Sequence, residues 1–502
     1  MVGVRDSFKN DSDSENKGNG YSNAGFNGDT SPPPFATIIP SRTEHVNEKD
    51  KVTFHKSHHT EPQLMMTVQT SGNYPPKDYE PYDYCTSEKP TSYFDTFFHL
   101  LKAAVGTGIL AIPSAYKDAG YAVGVGGVLF MAFLYTYCMH LLVASEHELS
   151  KRRRVPNLSY ANTVGAAFED RLPKKPWLAT SGQFFANFFF MVYESGGCAI
   201  YIIFISKNLK QLLDHYLDQD VNLTTIMIGV TIPLILVCWI RNLKLLAPFS
   251  AAANFIIVVC FALVFYYVFR EAPSFEHRRA IGSPAKLPVY LTTVIFAIAC
   301  TGLIIPLKQE MKKPAQFGKL TGVLNMAMIP MTILYAIFGF FGYLKYGDDV
   351  QGSITLNLPQ NEGLAQAIKG LYSLSVFISY HLCYYVVLDI VWKSYLKDKV
   401  EHNQVLWEYV IRTIIPIVTL LMAIAIPNLE VFISLVGALG ISTTSLVLPV
   451  IVHTLTFWDQ QHTKVGFYRF IIRNGILFAM SMLIFLTGIF ESVQDVMRLY
   501  KI

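Results

Sequence analysis

What this 502-residue sequence has least of is charge: Asp, Glu, Lys and Arg make up 16% of it, against roughly 25% in soluble globular chains. Set beside 52% hydrophobic residues and a mean hydropathy of +0.33, this shortage excludes a string of soluble domains and makes the chain a membrane protein. The formal net charge of +4 is too small to imply a nucleic-acid partner. Cysteine is scarce too. Cys85 precedes the apolar region, and Cys138, Cys198, Cys238, Cys260, Cys300 and Cys383 fall inside apolar runs, so no disulfide framework is indicated. The chain does not open on a basic stretch followed by an apolar one; a cleaved signal peptide is not expected, and the first membrane helix serves as the targeting signal. No residue pattern calls for a metal, nucleotide or redox cofactor.

Residues 1–92 hold nine prolines, 9 basic and 13 acidic residues and almost no apolar run, which leaves the remainder of the chain at +8. Such a segment buries too little surface to offset its ordering entropy, and it is expected to be a disordered cytosolic tail. The tyrosines Tyr74, Tyr79, Tyr82 and Tyr84, with prolines between them, are read either as a polar linker, which is favoured, or as a docking or phosphorylation stretch for cytosolic partners.

What is there in abundance is long apolar sequence. Intervals free of Asp, Glu, Lys and Arg run over 119–145, 221–240, 245–269, 287–307, 320–344, 370–388, 413–429, 431–458 and 474–490, each about as long as a bilayer-crossing helix. Two further runs complete a predicted set of eleven: 178–206, interrupted by Glu194, and 94–116, interrupted by Asp95 and Lys102. With the N-terminus inside, the inner connections carry 20 basic residues and the outer ones 11. The positive-inside bias therefore places the N-terminus in the cytosol and the C-terminus outside or in a lumen. Leu158 to Asp170, in the long inner loop, is moderately amphipathic and reads equally as an interfacial helix or a loop. Of the glycosylation sequons, only Asn222-Leu223-Thr224 falls on the outer side; Asn10 and Asn157 fall inside.

The first span is the poorest helix of the set: Gly106, Thr107 and Gly108 are followed by Pro113. The sixth carries a similar phrase, Thr301-Gly302 followed by Pro306, at a corresponding place. Interrupted spans at matching positions of two five-helix halves are the sequence pointer to an inverted-repeat transporter. Half-helix N-termini suit a carboxylate and exposed carbonyls suit an ammonium, which together describe a zwitterionic amino acid. Read singly, each break is more readily a packing or kink feature; their pairing favours a site.

Further stretches are Trp239-Ile-Arg-Asn-Leu-Lys244, Phe249-Ser-Ala-Ala-Ala-Asn254, Gly339-Phe-Phe-Gly-Tyr-Leu-Lys-Tyr-Gly347, Gly352-Ser-Ile-Thr-Leu-Asn-Leu-Pro359 and Ile426-Pro-Asn-Leu-Glu430. In order from about residue 91 to 495, and with His99-Leu-Leu-Lys102 before the first break, this set resembles the proton-coupled amino acid transporters of the amino acid/auxin permease superfamily. The resemblance implies an all-α, eleven-span LeuT-like fold: a first repeat over 93–269, an outer loop over 270–287, a second repeat over 288–458, and an eleventh helix with a short C-terminus over 459–502. It also implies symport of small neutral amino acids of the glycine, alanine and proline class with protons toward the cytosol, and no enzymatic activity. Gly106, Thr107, Gly108, Ala299, Cys300, Thr301, Gly302 and Tyr380 are the expected substrate-binding residues.

The chain departs from the family pattern at Ala299 and Cys300, where Glu and Gly are usual, at Lys308 and Gln309 after Pro306-Leu, and at Cys383 and Val387, where Gln and Pro are usual. An amino acid sensor that signals through the tail with little transport is the alternative reading these departures raise. A membrane-embedded acyltransferase is disfavoured, because His381 and His453 lie in different spans without a matching acid. For the coupling proton the candidates are Glu194, an ionisable group costly to keep in a span, and His99, which matches the family's first-helix histidine and whose side-chain type changes charge near physiological pH. Either the plasma membrane or a lysosomal or endosomal membrane offers the gradient.

Overall fold

The computed structural model describes residues 79–84, 90–104, 106–241, 243–271, 274–397, 399–400, 402–460 and 463–501. Asn10, Tyr74 and Cys85 lie outside them. The described chain is helical almost throughout, because apolar sequence in hydrocarbon must satisfy its backbone internally. The helices are α1 (Tyr93–Ala104), α2 (Thr107–Ala119), α3 (Tyr121–Arg153), α4 (Tyr160–Arg171), α5 (Pro176–Leu217), α6 (Leu223–Cys238), α7 (Leu243–Phe269), α8 (Leu287–Ile298), α9 (Thr301–Glu310), α10 (Val323–Tyr346), α11 (Gly363–Asp389), α12 (Gln404–Ala425), α13 (Leu429–Val436), α14 (Leu448–Thr456) and α15 (Lys464–Tyr500). Among the described residues nine helical stretches are long and apolar enough to cross a membrane, or ten when α1 and α2 are counted as one span bent by 51°. The eleventh expected span is represented by α6, apolar throughout but only 16 residues long.

Both interruptions fall where the Thr-Gly phrases stand. Gly106 is extended (φ −118°, ψ −156°) and α2 starts at Thr107; Ala299 (φ −72°, ψ 131°) and Cys300 (φ −132°, ψ 38°) separate α8 from α9, which starts at Thr301. A third irregularity was not expected. Gly437–Val447, between α13 and α14, winds as a π-helix, a form that is rare and concentrated at functional sites. It lies against α5: a Cβ added at Gly440 would sit 2.8 Å from the Cα of Tyr193.

The two broken spans run antiparallel. The half-helices α2 and α8 are joined at one end, where Gly282 N–H donates to Ala119 O (2.7 Å) and Tyr121 N–H to Arg279 O (3.0 Å). Gly120 makes that turn at φ +80°, where a Cβ would also strike Ala280 O at 2.7 Å. At the opposite end Thr91 N–H, just before α1, donates to Glu310 O (2.8 Å), and Lys312 N–H returns to Thr91 O (3.0 Å). Between these ties, a Cβ on Gly108 would lie 2.7 Å from the Cα of Ala297, so the breaks themselves touch.

The stretch left open as interfacial helix or loop is a helix, α4, and its face is spent on protein. Ser159 caps it by accepting from Asn162 N–H, and Val164, Ala166 and Ala167 pack with Leu149, Ala186, Leu448 and Val452. Of the segment expected to be a disordered tail, residues 79–84 and 90–92 are among those described. Residues 79–84, which include a 3-10 turn at Pro81–Asp83, lie on the end of α3: the Glu80 carboxylate stands 3.2 Å from the His147 ring and 3.7 Å from Lys151, and the Tyr82 ring stacks on His147 at 4.2 Å. The Lys151–Glu80 pair and the stacked Tyr82 and His147 rings offset the ordering cost that the polar composition alone cannot meet.

Beneath that turn lies a buried ion pair, Glu146 of α3 with Lys308 of α9, whose side chains are 2% and 4% exposed. The other oxygen of Glu146 accepts from Leu158 N–H (3.1 Å) and Ser150 Oγ (3.2 Å). Removing one partner strands the other charge. Glu146→Ala is expected to cost about 3–5 kcal/mol, whereas Glu146→Leu combined with Lys308→Met stays within about 2 kcal/mol of the parent. Thermal unfolding of the purified proteins in detergent measures the difference; equal destabilisation by the single and double changes would contradict it.

Candidate functional site

A helix that stops inside a bilayer leaves N–H and C=O groups without partners, at a cost of several kcal/mol each. Around the two breaks three buried tyrosines meet that need. Tyr335 of α10 donates to Ala297 O (2.8 Å), a carbonyl freed by the end of α8. Tyr372 of α11 donates to Gly106 O (3.2 Å). Tyr135 of α3 accepts from Cys300 N–H (2.9 Å), with its hydroxyl 3.6 Å from Cys300 Sγ. All three rings are fully buried. Thr301, at the start of α9, shares a 2.5 Å hydrogen bond with Ser445 of the π-helix.

The expected residues Gly106, Thr107, Gly108, Ala299, Cys300, Thr301 and Gly302 are thus brought together at one point in the bundle, Thr107, Ala299, Cys300 and Thr301 being buried there. Two half-helix N-termini, those of α2 and α9, open onto this point and present backbone N–H groups and positive dipole ends. Glu194 joins them from α5. A Cβ at Gly302 would lie 3.4 Å from Glu194 Oε1 and 2.9 Å from Phe190 Cζ, so the carboxyl faces the first turn of α9. Cys383 of α11 lies within hydrogen-bonding reach of Glu194 and 3.8 Å from the Tyr201 hydroxyl. The carboxyl that the family pattern has at position 299 is absent from this chain, which has Ala299, but Glu194 of α5 stands beside position 302.

Three expected residues are placed elsewhere. The Tyr380 hydroxyl bonds Thr419 of α12 (2.8 Å). Its ring stacks on Tyr384 rather than meeting the breaks, and Tyr372, about two turns earlier on the same helix, makes the contact instead. His99 is exposed on α1, beside an open cavity of about 410 Å³ lined by Pro90, Thr91, Asp95, Phe98 and Lys102. Asn222 is exposed and caps α6, its Oδ1 accepting from Thr224 N–H at 2.8 Å. Among the described residues no three His, Cys, Asp or Glu side chains gather as metal ligands would.

The sequence reading missed Tyr135, Tyr335, Tyr372 and Ser445. With 28 tyrosines in the chain, the only signal was a hydroxyl near the middle of an apolar run, which does not say what it reaches.

Comparison with known proteins agrees with this geometry. Residues 89–494 match the family model described as transmembrane amino acid transporter protein. The proton-coupled amino acid transporter-like protein pathetic of Drosophila melanogaster is 32% identical over 425 residues, covering 84% of this chain and 89% of the relative. Amino acid transporter ANT1 of Arabidopsis thaliana is 26% identical over 437 residues, covering 82% and 96%. The inward-facing structure of Mhp1 superposes with a TM-score of 0.50 at 12% identity, over 85% of this chain and 94% of that one, and so shares its LeuT-like fold. The relatives are named as transporters, not enzymes. The chain is an integral membrane protein that belongs to the transmembrane amino acid transporter family, the amino acid/auxin permease group that its paired Thr-Gly breaks resemble.

Proposed function

We propose that the protein is a proton-coupled symporter of small neutral amino acids, crossing the membrane eleven times from a cytosolic N-terminus and moving its substrate toward the cytosol by alternating access. The observation that carries the reading is the meeting of the two breaks, with the N-termini of α2 and α9 and the carbonyls of Gly106 and Ala297 converging where Glu194 stands. A substrate carboxylate accepts from N–H groups of Thr107, Gly108, Thr301 and Gly302. Its ammonium takes the carbonyls of Gly106 and Ala297, to which Tyr372 and Tyr335 donate. The Gly108–Ala297 approach and the Phe190 ring leave room for a small side chain.

Glu194 is the group we assign to the coupling proton, because it is 8% exposed and sits at the start of α9. His99 is a weaker candidate from its place on the outer face of α1. One proton moving across 100 mV supplies about 2.3 kcal/mol and each pH unit about 1.4 kcal/mol. Together these sustain a gradient on the order of several hundredfold. The relative named as proton-coupled supports the same coupling here. Ion pairs lie at both ends of the broken spans: Lys117 of α2 with Glu430 of α13 (3.3 Å), and Glu146 with Lys308. Alternating access works by loosening one end at a time. The plasma membrane and an acidic organelle both supply the gradient, and Asn222 is the glycan acceptor on the outer side.

Uptake of radiolabelled alanine or glycine by cells expressing the chain is expected to rise when the external medium is acidified. No acid-stimulated uptake together with ligand-induced thermal stabilisation would favour the sensor. Glu194→Gln retains the shape but carries no exchangeable carboxyl proton, so uptake is expected to lose its pH dependence; an unchanged profile removes Glu194 from the mechanism. Gly108→Val drives a side chain into the Ala297 backbone and is expected to abolish uptake while surface biotinylation remains at the parent level. Normal uptake would refute the site.

A further inference from the structure

The short turn at 79–84 is bound in a groove whose chemistry matches it. One wall is the end of α3, which offers His147 and Lys151 to the Glu80 carboxylate at 3.2 and 3.7 Å. The other wall is the end of α9. Lys308 stands there 5.3 Å from the Tyr82 ring centroid, while that same ring stacks on His147 at 4.2 Å. The space enclosed by Pro81, Tyr82, Glu146, Lys308, Gln309 and Pro314 is only about 10 Å³, so the turn fills it. With Lys151 beside the Glu80 carboxylate, and the His147 ring and Lys308 flanking the Tyr82 ring, the groove takes an acidic, aromatic peptide.

The location gives the contact a consequence. The ends of α3 and α9 are the end of the bundle that the positive-inside count assigns to the cytosol. Inward opening requires the inner half-helix α9 to part from α3, and the turn bridges both across the buried Glu146–Lys308 pair. We propose that the groove between the ends of α3 and α9 is a docking site for acidic, aromatic peptide, filled in cis by Tyr79–Tyr84, and that its occupancy locks the transporter against opening to the cytosol. The lock rests on the alternating-access reading above. It makes the tail an inhibitor of the carrier: whatever draws residues 79–84 away, a binding partner of the tail included, speeds inward opening.

The test reads opening rather than uptake, so it stands apart from the identity of the substrate. Cys300 is 5% exposed at the breaks and becomes reachable from the cytosol only when the inner halves part. In full-length protein carrying Cys85→Ser, inside-out vesicles are treated with a membrane-impermeant maleimide, and modification of the Cys300 peptide is followed by mass spectrometry. Glu80→Gln with Tyr82→Ala, both on the turn and outside the bundle, is expected to raise the labelling rate about 5- to 30-fold, the loss of one exposed ion pair and one ring stack. A synthetic peptide of residues 77–84 in excess returns it toward the parent rate. Equal labelling of the two proteins overturns the lock. Faster labelling that the peptide does not slow overturns the groove, and the proposal with it. Failure of acid-stimulated uptake in the parent, by contrast, bears on the transport reading alone.

Discussion

Hydrocarbon offers no hydrogen bonds, and this architecture is organised around two places where the backbone nevertheless comes undone. At Gly106 and at Ala299–Cys300 the helical ladder stops within the bundle, freeing carbonyls and N–H groups that an apolar surrounding does not satisfy. The surrounding helices supply what the ladder no longer does. Tyr335, Tyr372 and Tyr135 arrive from three different helices, α10, α11 and α3, and each satisfies one freed group. Without those partners the breaks cost more than packing restores; with them, the chain holds a polar point in an apolar bundle.

The same requirement gathers at the breaks the polar groups on which the proposed binding site is built. On the proposed reading, a substrate ammonium donates to the same carbonyls of Ala297 and Gly106 that the tyrosine hydroxyls donate to. Close approach matters as much as polarity. Gly108 against Ala297, Gly302 against Phe190 and Gly440 against Tyr193 are contacts that a Cβ would obstruct, and they bring α2, α8, α9, α5 and the π-helix to one point.

Charge, rare in this chain, is placed where the broken spans end. Lys117 with Glu430 ties one end and Glu146 with Lys308 the other. Lys308 stands where the family pattern has a carboxylate, and Glu146 is its counter-charge on a neighbouring span. At Ala299, where the family pattern has a carboxyl, Glu194 of α5 stands close by, facing Gly302.

The sequence by itself determined the solvent, the helical class and the two breaks. Hydropathy acts through runs of about 20 residues, and Gly and Pro act on the backbone locally, so both are legible in one dimension. Seven of the eight expected substrate residues gather for that reason, being consecutive at the two breaks. Tyr380 is displaced because its helical phase turns it toward Thr419, and its helix neighbour Tyr372 is chosen instead. A tyrosine in an apolar span has the same local pattern whichever neighbour it meets. Likewise the order of residues 79–84 comes from His147, Lys151 and Lys308, which lie far along the chain. Only the tertiary structure decided which hydroxyls close the breaks, that Glu194 stands at Gly302 and that the tail's last tyrosines are docked. Those facts are contacts between distant residues, fixed by helix rotation and packing rather than by the composition of any one segment.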